Sequence, residues 1–281
     1  MRRVIQGSRM VITGASSGIG RALATAAVKE GARVILAARS VDRLDALARE
    51  LSAVSAADVL AVPTDITVEA DRRRLLQAAV DHFGGLDVLV NNAGVASFGH
   101  FAASNEEILR QIMDVNFFGP AELTREAVPL LKEGRQPAVV NVSSMTGRRG
   151  TPAWPEYSAS KFALCGLTEA LRAEFARFDI DVLLIVPGLT NTELRQHMLL
   201  NTGRMKIAFD DGMAPEYVAA TILNSLRTNR TETVVGSEAK WILRVNRWLP
   251  RLVDRLMARR VRQLYAAERP VAPPAAGTPT K

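Results

Sequence analysis

Short apolar runs alternate with longer amphipathic stretches along most of this chain. The apolar runs lie at residues 9–13, 32–38, 59–65, 86–94, 137–144, 181–188 and 233–236. The stretches between them, such as 21–31 and 41–53, place apolar residues at the three- and four-residue spacing of an amphipathic helix. Strands that are apolar on both faces need helices on both sides of their sheet. The alternation therefore predicts an α/β fold with a doubly wound parallel sheet as one domain, residues 1–236.

Composition limits the kinds of site that this chain can build. Nearly half of its 281 residues (48%) are hydrophobic, which is ample for one large core. Its one cysteine, Cys165, excludes an internal disulfide and a cysteine-based metal cage. The histidines His82, His100 and His197 lack ligand spacing, so no metal is predicted. Neither a signal peptide nor a membrane-spanning run is recognisable, so a cytoplasmic protein is expected.

The basic charge is concentrated in a C-terminal extension, residues 237–265. Residues 236–281 contain ten Lys or Arg and three Asp or Glu, which accounts for the whole net charge of +7. The body is therefore neutral, and no nucleic-acid partner is predicted. The extension reads as a basic amphipathic helix interrupted at Pro250. Its two faces consist of apolar residues (Trp241, Val245, Trp248, Leu249, Leu252, Val253, Leu256, Met257, Val261 and Leu264) and basic residues (Lys240, Arg244, Arg247, Arg251, Arg255, Arg259 and Arg262).

Three alternatives stay open for this extension. It packs on the body or on a partner subunit, it lies on an anionic membrane surface through residues 240–265, or it binds an acidic partner. The membrane alternative would make the protein membrane-peripheral. The Pro/Ala-rich residues 266–281 are predicted to be disordered.

A glycine-rich loop joins the first predicted strand to the first helix. The loop contains Gly14, Ser16, Ser17, Gly18, Ile19 and Gly20. Glycines allow the backbone to approach a pyrophosphate, and a helix N-terminus offers free amides and a favourable dipole. A turn of this kind also occurs for packing alone, but its position in a strand–loop–helix unit favours binding of a dinucleotide in a Rossmann fold.

The end of the second strand carries Arg39 where NAD-binding proteins usually carry an acidic residue. An acidic residue binds the ribose 2′-hydroxyl of NAD, whereas an arginine suits the 2′-phosphate of NADP. The residue therefore favours NADP(H) over NAD(H). A solvated arginine at a helix start is the alternative.

Tyr157 and Lys161 are four residues apart in a predicted helix, so they share one face. An ammonium beside a phenol favours the phenolate and lowers the phenol pKa from its usual value near 10. The pair therefore predicts a tyrosine that acts as general acid or base. Such a pair is common on ordinary helices and needs the support of other motifs.

Taken together, the motifs resemble the short-chain dehydrogenase/reductase family over about residues 8–236. They are TGASSGIG, NNAG at 91–94, Asn116 in VNFFG, Ser144, YSASK and the Pro-Gly at 187–188. The glycine spacing resembles the compact branch of the family. The resemblance implies an NADP(H)-dependent carbonyl reductase or alcohol dehydrogenase that forms a homodimer or homotetramer. The alternative is a catalytically silent nucleotide-binding sensor or scaffold, because fold alone does not give function.

The resemblance also implies a role for each matching residue. Tyr157 would exchange a proton with the substrate oxygen, Lys161 would lower the phenol pKa and hold the nicotinamide ribose, Ser144 would hydrogen-bond the substrate oxygen, and Asn116 would hold a water. Further cofactor contacts would come from Asp65, Ile66, Asn92, Ala93, Gly94, Pro187, Gly188, Thr190 and Thr192. Asp65 and Thr192 have an alternative reading as turn or helix-cap residues.

The same resemblance would place the substrate among residues 95–101, 145–154 and 193–213. These segments are rich in Phe, Met, Leu and Trp, which favours an apolar carbonyl or alcohol, although such residues also pack without a ligand. Arg148 and Arg149 could meet an acidic group of the substrate, but they are expected to be solvated.

Overall fold

A computed structural model describes residues 3–54, 58–205 and 209–266. Its centre is a parallel sheet of seven strands in the order β3-β2-β1-β4-β5-β6-β7. The strands are β1 (Arg9–Thr13), β2 (Arg33–Ala38), β3 (Val59–Pro63), β4 (Val88–Asn91), β5 (Ala138–Val142), β6 (Asp181–Pro187) and β7 (Glu232–Val235). The strand order reverses between β1 and β4, and in open α/β sheets ligands bind at such a switch point. The predicted doubly wound fold is confirmed.

Helices cover both faces of the sheet. They are α1 (Gly18–Lys29), α2 (Val41–Val54), α3 (Glu69–Phe83), α4 (Glu106–Met113), α5 (Gly119–Lys132), α6 (Pro155–Glu174), α7 (Pro215–Thr228), α8 (Ser237–Trp248) and α9 (Pro250–Leu264). A π-helical turn, Asp114–Phe118, joins α4 to α5. Short 3₁₀ helices lie at Phe101–Ala103, Met145–Gly147, Phe175–Phe178, Glu193–His197 and Phe209–Asp211.

The core consists of two apolar layers that the sheet separates. Alternate strand residues point to opposite faces, so Ile12 and Val90 pack toward α1 and α7, whereas Val11 and Leu89 pack toward α3 and α5. This two-sided burial explains why the strands read as continuous apolar runs rather than as alternating patterns.

Several strands end earlier than their apolar runs predicted. β4 covers 88–91 rather than 86–94, and β5 covers 138–142 rather than 137–144. The polar and glycine residues that follow, such as Asn92, Gly94 and Ser144, therefore lie in loops at the carboxyl edge of the sheet. This is the edge where the site is built.

The C-terminal extension forms two helices that meet at Pro250, as the proline predicted. One edge of the extension packs on the body through Ala239, Leu243 and Val253. The opposite edge is exposed, and Trp241 and Trp248 have 62% and 76% of their surface accessible. Packing on the body therefore uses only part of the predicted apolar face. Residues 267–281 of the predicted disordered tail lie outside the described residues.

Candidate active site

A cleft of about 420 Å³ opens at the carboxyl edge of the sheet, above the switch point between β1 and β4. It brings together most of the residues that the sequence nominated. The residues that line it include Gly14, Ser16, Ser17, Gly18, Ile19, Arg39, Asp65, Ile66, Asn92, Ala93, Gly94, Tyr157, Lys161 and Thr192. Gly20, Asn116, Ser144, Pro187, Gly188 and Thr190 are not among the lining residues.

The glycine-rich loop has the features that a phosphate needs. Gly14 has a φ of +67°, and a Cβ on Gly20 would lie 2.2 Å from the carbonyl oxygen of Gly14. Ser17 is the N-cap of α1, yet its side chain makes no capping hydrogen bond, and the first turn contains no acidic residue. The first amides of α1 are thus left for an anion. The close backbone packing and this helix terminus fit a dinucleotide pyrophosphate.

Asn92 and Ala93 hold the glycine-rich loop from the neighbouring strand. The amide of the Asn92 side chain donates to the Thr13 carbonyl at 2.9 Å. The backbone N–H groups of Asn92 and Ala93 both donate to the Thr13 hydroxyl, at 3.0 and 3.1 Å. These bonds fix the loop after β1 to the loop after β4, so the two walls of the cleft keep a constant separation.

Arg39 lines the cleft directly after the end of β2. Its side chain is exposed and has no ion pair with any described residue. Nearby Arg43 pairs with Glu193 at 2.5 Å. Of these two arginines, Arg39 is therefore the one whose charge is available to a phosphate of a ligand in the cleft.

Asp65 and Thr192 had alternative readings as turn or cap residues. The Asp65 carboxylate accepts hydrogen bonds from the Thr67 N–H and hydroxyl, at 2.9 and 2.7 Å, so it stabilises a turn while it lines the cleft. Thr192 precedes a 3₁₀ helix but makes no side-chain capping bond. Its methyl group instead packs near Gly18 of the glycine-rich loop. The turn reading fits Asp65, and Thr192 occupies the N-cap position of the 3₁₀ helix without capping it through its side chain.

The segment after β6 returns the chain toward the cleft. Gly188 donates its N–H to the Val235 carbonyl at 3.0 Å, and a Cβ on Gly188 would lie 3.0 Å from the Cβ of Ala239 in α8. The Thr190 hydroxyl donates to the Gly188 carbonyl at 3.1 Å. The turn after β6 therefore positions Thr192 at the cleft, and it is formed by Pro187, Gly188 and Thr190.

Tyr157 and Lys161 lie on the face of α6 that closes the cleft. Both side chains are buried, and the Lys161 Nζ lies 5.7 Å from the centre of the Tyr157 ring. Ser144, two residues after the end of β5, accepts the Thr146 N–H at 3.2 Å and lies close enough to the Tyr157 phenol to lower its pKa. The Lys161 ammonium donates to the Val142 carbonyl at 3.1 Å and lies close to Gly94. A phenol, a hydroxyl and an ammonium therefore converge at one end of the cleft.

The pKa of Tyr157 is opposite in direction to the one expected from the sequence. Burial raises the pKa of Tyr157 to about 12, and nearby Ser144 opposes that rise only in part. Burial likewise lowers the pKa of Lys161 to about 8, and nearby Cys165 opposes the change. At this separation desolvation outweighs the attraction between phenolate and ammonium. In the chain by itself Tyr157 is a protonated phenol.

Asn116 does not line the cleft but supports two of its neighbouring segments through hydrogen bonds. Its side chain is fully buried in the π-helical turn and pairs with both backbone groups of Val95, at 2.9 Å each. The remaining N–H donates to the Ser160 hydroxyl at 3.0 Å. Both amide hydrogens are thus in use, and Asn116 fixes the loop after β4 to α6.

An apolar cluster lies beside the Tyr157 ring and joins three segments of the chain. Its members are Ala96, Phe98, Ala153, Trp154, Tyr157, Leu194, Met198 and Met205. Backbone hydrogen bonds connect the segments, from Phe98 to Leu200 at 2.7 Å and from Gly99 to Ala153 at 2.8 Å. Phe101, in contrast, points away with 66% of its surface exposed. The space next to the phenol is therefore lined by apolar side chains.

This geometry agrees with comparisons to known proteins. The family profile of short chain dehydrogenases matches residues 8–202. The "uncharacterized oxidoreductase YxnA" of Bacillus subtilis (strain 168) is 37% identical over 268 residues, which cover 94% of this chain and 75% of the relative. The chain belongs to the short-chain dehydrogenase/reductase family. It is thus an oxidoreductase by family, as the resemblance implied.

Solved structures of the family superpose closely on this short-chain dehydrogenase/reductase. A family member from Burkholderia phymatum in complex with NAD has a TM-score of 0.82 at 25% identity, covering 89% of this chain and 96% of its own. An alcohol dehydrogenase from the archaeon Thermococcus sibiricus, complexed with 5-hydroxy-NADP, has a TM-score of 0.74 at 26% identity, covering 82% and 96%. Neighbours of this fold thus bind both NAD-type and NADP-type nucleotides.

Two arginines of this short-chain dehydrogenase/reductase differ from their expected environment. Arg148 pairs with Glu169 at 2.5 Å and with Glu232 at 2.7 Å. Arg149 pairs with Asp254 of α9 at 2.5 Å. The expectation that both arginines are solvated is wrong, because acidic residues distant in the sequence fold back onto them.

Several residues that support the site through hydrogen bonds were not predicted from the sequence. Thr13 orders the loop after β4, and Ser160 receives the amide of Asn116. Beneath them the Asn141 side chain accepts a hydrogen bond from Asn91 at 2.8 Å and donates one to Thr168 at 2.9 Å. The available signal was an asparagine within the apolar runs of β4 and β5, Asn91 and Asn141, because buried amides require partners.

Residues 3–54, 58–205 and 209–266 contain neither a metal-binding cluster nor a membrane-spanning helix. No group of three or more His, Cys, Asp or Glu side chains in these ranges is arranged to hold a metal ion. No helix within them is long and apolar enough to cross a membrane.

The depressed pKa of Lys161 makes a prediction about stability. The pKa falls from 10.5 to about 8, so between these pH values the unfolded chain binds a proton that the folded protein does not. The contribution of Lys161 to stability should therefore rise with pH across this window, and below it a buried ammonium carries a penalty on the order of 3 kcal/mol. Lys161→Met keeps the size without the charge. We expect it to raise the free energy of unfolding at neutral pH by roughly 1–3 kcal/mol, an advantage that shrinks as the pH approaches 10.5.

Urea unfolding of the nucleotide-free protein at neutral and alkaline pH measures this difference. Lys29→Met, at an exposed position in the last turn of α1, is the matched control and should show no such pH-dependent gain. A Lys161→Met protein less stable than the wild type at neutral pH would contradict the predicted penalty.

Proposed function

We propose that this protein is an NADP(H)-dependent carbonyl reductase or alcohol dehydrogenase in which Tyr157 exchanges a proton with the substrate oxygen. The observation that carries the proposal is the buried Tyr157 phenol, which lies beside Ser144 and one helical turn from Lys161. The phenol lies between a cleft with a phosphate-binding loop and an apolar cluster. This is the position where a carbonyl group would meet both a reductant and a proton donor.

The chain's own groups divide the work of reduction. When bound, NADPH supplies the hydride that is added to the carbonyl carbon. The Tyr157 phenol donates its proton to the carbonyl oxygen, and the Ser144 hydroxyl hydrogen-bonds the same oxygen as negative charge develops there. Because burial keeps the pKa of Tyr157 at about 12, the proton needed for reduction is in place well above neutral pH. Oxidation of an alcohol would need the phenolate, so it should improve as the pH rises.

The cofactor residues have separate tasks in this proposal. The backbone of residues 14–20 would hold the pyrophosphate, and Asp65 and Ile66 would border the adenine. Lys161, with Thr190 and Thr192 after the Pro187-Gly188 turn, would border the nicotinamide and its ribose. The exposed Arg39 supports NADP over NAD because a guanidinium forms charge-assisted hydrogen bonds with a 2′-phosphate.

The apolar cluster beside Tyr157 favours an apolar carbonyl or secondary alcohol as substrate. The experiment that tests the function follows NADPH oxidation at its absorbance band with a panel of ketones, aldehydes and acyl thioesters of increasing size. Turnover of apolar members supports the proposal. A protein that binds NADPH but turns over none of them would instead be the silent sensor.

We further propose that α8 and α9 lie on an anionic membrane surface. Their exposed edge carries Trp241, Trp248, Leu249, Leu252 and Leu256. The same two helices carry eight Lys or Arg and two acidic residues, and all eight basic side chains are exposed. Tryptophans and arginines interleaved along a helix suit a lipid interface. A second copy of the chain fits this surface less well because it would bring the same positive charge.

Flotation with lipid vesicles should detect this binding. We expect the protein to float with phosphatidylcholine vesicles that contain roughly a third phosphatidylserine, and to float poorly with phosphatidylcholine alone or in high salt. Trp248→Ser combined with Leu256→Ser should reduce binding by about tenfold because two exposed apolar anchors are lost. Tyr217→Ser, at an exposed aromatic position on α7, is the control and should bind as the wild type does. Equal failure to float with both lipid mixtures would refute the membrane proposal.

We also propose that the protein is cytoplasmic and that, as the family resemblance implies, it forms a homodimer or homotetramer. Light scattering after size-exclusion chromatography measures the number of copies.

A further inference from the structure

Helix α9 and Tyr265, the residue that follows it, together contact each of the three chain segments that form the apolar cluster beside Tyr157. The segments are residues 95–101 after β4, 145–154 after β5 and 193–205 after β6, which supply Phe98, Trp154 and Met205 to the cluster. Backbone hydrogen bonds join these segments to one another.

The middle segment is held through Arg149. Its guanidinium forms an ion pair with Asp254 at 2.5 Å and lies 3.5 Å from the Met257 sulfur, one turn farther along α9. The Arg149 side chain is only 17% exposed, whereas that of Asp254 is 61% exposed. The arginine therefore reaches from under α9 to the helix surface, and its position depends on the helix.

The other two segments meet at Tyr265, directly after the end of α9. The Tyr265 ring lies edge-on to His100, with 4.3 Å between ring centres, and the Arg204 guanidinium lies 5.0 Å from the centre of the Tyr265 ring. His100 is two residues from Phe98, and Arg204 precedes Met205. One aromatic side chain thus bridges the segments after β4 and β6.

We infer that α9 is part of the substrate site, a brace that sets how far the three segments can separate and so which carbonyl substrates fit beside Tyr157. Asp254 and Tyr265 are its positioning residues. The inference rests on the proposed carbonyl reduction, because it assigns the apolar cluster to the substrate. It assigns a role to the inner edge of the extension and is independent of the exposed edge that carries Trp248.

The ion pair and the ring contacts can be removed without touching the cleft. Asp254→Asn keeps the shape but removes the charge, and Tyr265→Ala removes the ring. We expect the double variant to change KM for the larger carbonyl substrates by roughly threefold to tenfold, the scale of one ion pair and one cation–π contact. The kcat for the smallest substrate and the dissociation constant for NADPH should stay at wild-type values.

Matched variants separate bracing from general damage. Tyr265→Phe keeps the ring and should retain wild-type KM values. Exchange of the ion-pair partners, Arg149→Asp with Asp254→Arg, should restore part of the change in KM that follows loss of the ion pair. Glu238→Gln removes one acidic residue from the first turn of α8 and should change nothing. Amide hydrogen exchange, measured without substrate, should increase in residues 95–101, 145–154 and 193–205 of the double variant and not in the controls.

The exchange measurement distinguishes the two proposals. Faster exchange in the three segments with a wild type inactive on every carbonyl would support the brace and overturn the proposed function. Unchanged exchange together with unchanged KM values across substrate sizes would overturn the brace and leave the function standing.

Discussion

Tyr157→Phe is expected to lower kcat/KM for carbonyl reduction by about 10²–10⁴-fold, the range that a positioned general acid supplies. The substitution removes the phenol hydroxyl of Tyr157, which burial keeps protonated at neutral pH. It keeps the ring that packs 5.7 Å from Trp154, so the apolar cluster should stay intact. The loss should therefore appear in kcat, and the dissociation constant for NADPH should change little. NADPH oxidation with the best carbonyl of the panel measures the first quantity, and nucleotide fluorescence measures the second.

Tyr217→Phe provides the matched control. Tyr217 lies on α7 with 54% of its surface exposed, so removal of its hydroxyl should leave both quantities unchanged. Retention of more than about a tenth of the activity by Tyr157→Phe would show that another group donates the proton. The adjacent Ser144 hydroxyl would then be the first alternative to examine.

The sequence predicted the elements of the fold because each of them is encoded locally. Seven apolar runs correspond to the seven strands, and Pro250 marks the boundary between α8 and α9. The glycine-rich loop also needs only local information, since Gly14 adopts a positive φ and packs against Gly20, which is six residues away in the sequence. Periodicity could not give the strand ends, because the apolar runs continue beyond the last ladder bonds.

Interactions between distant segments decided what the sequence could not predict. The pKa of Tyr157 depends on burial by side chains from three separate segments, whereas the sequence displayed only its neighbour Lys161. Asn116 was predicted to hold a water in the site, whereas its pairing with the backbone of Val95 became evident only in the fold. Arg149 and Asp254 are 105 residues apart, so their pairing has no local signal.

Arg39→Asp is expected to change the preferred nucleotide from NADPH toward NADH. Arg39 follows the last residue of β2, faces the cleft and has no ion pair among the described residues. Loss of a charge-assisted contact removes roughly 1.5–3 kcal/mol of binding to a 2′-phosphate. The new carboxylate repels the phosphate and accepts a hydrogen bond from the 2′-hydroxyl of NADH. Together these effects should lower the ratio of kcat/KM for NADPH to that for NADH by about 10²-fold or more.

Arg49→Asp makes the same charge change on α2 at an exposed position that does not line the cleft. It therefore tests whether the net charge near this edge is enough to change the preference. The NADPH to NADH ratio should stay within about threefold of wild type in this control, because an exposed charge in salt acts over only about 10 Å. A wild type that already prefers NADH, or an Arg39→Asp protein with an unchanged ratio, would show that Arg39 is a solvated residue and that the specificity for NADP(H) lies elsewhere. A fall in the ratio confined to Arg39→Asp would instead place the 2′-phosphate site at the end of β2.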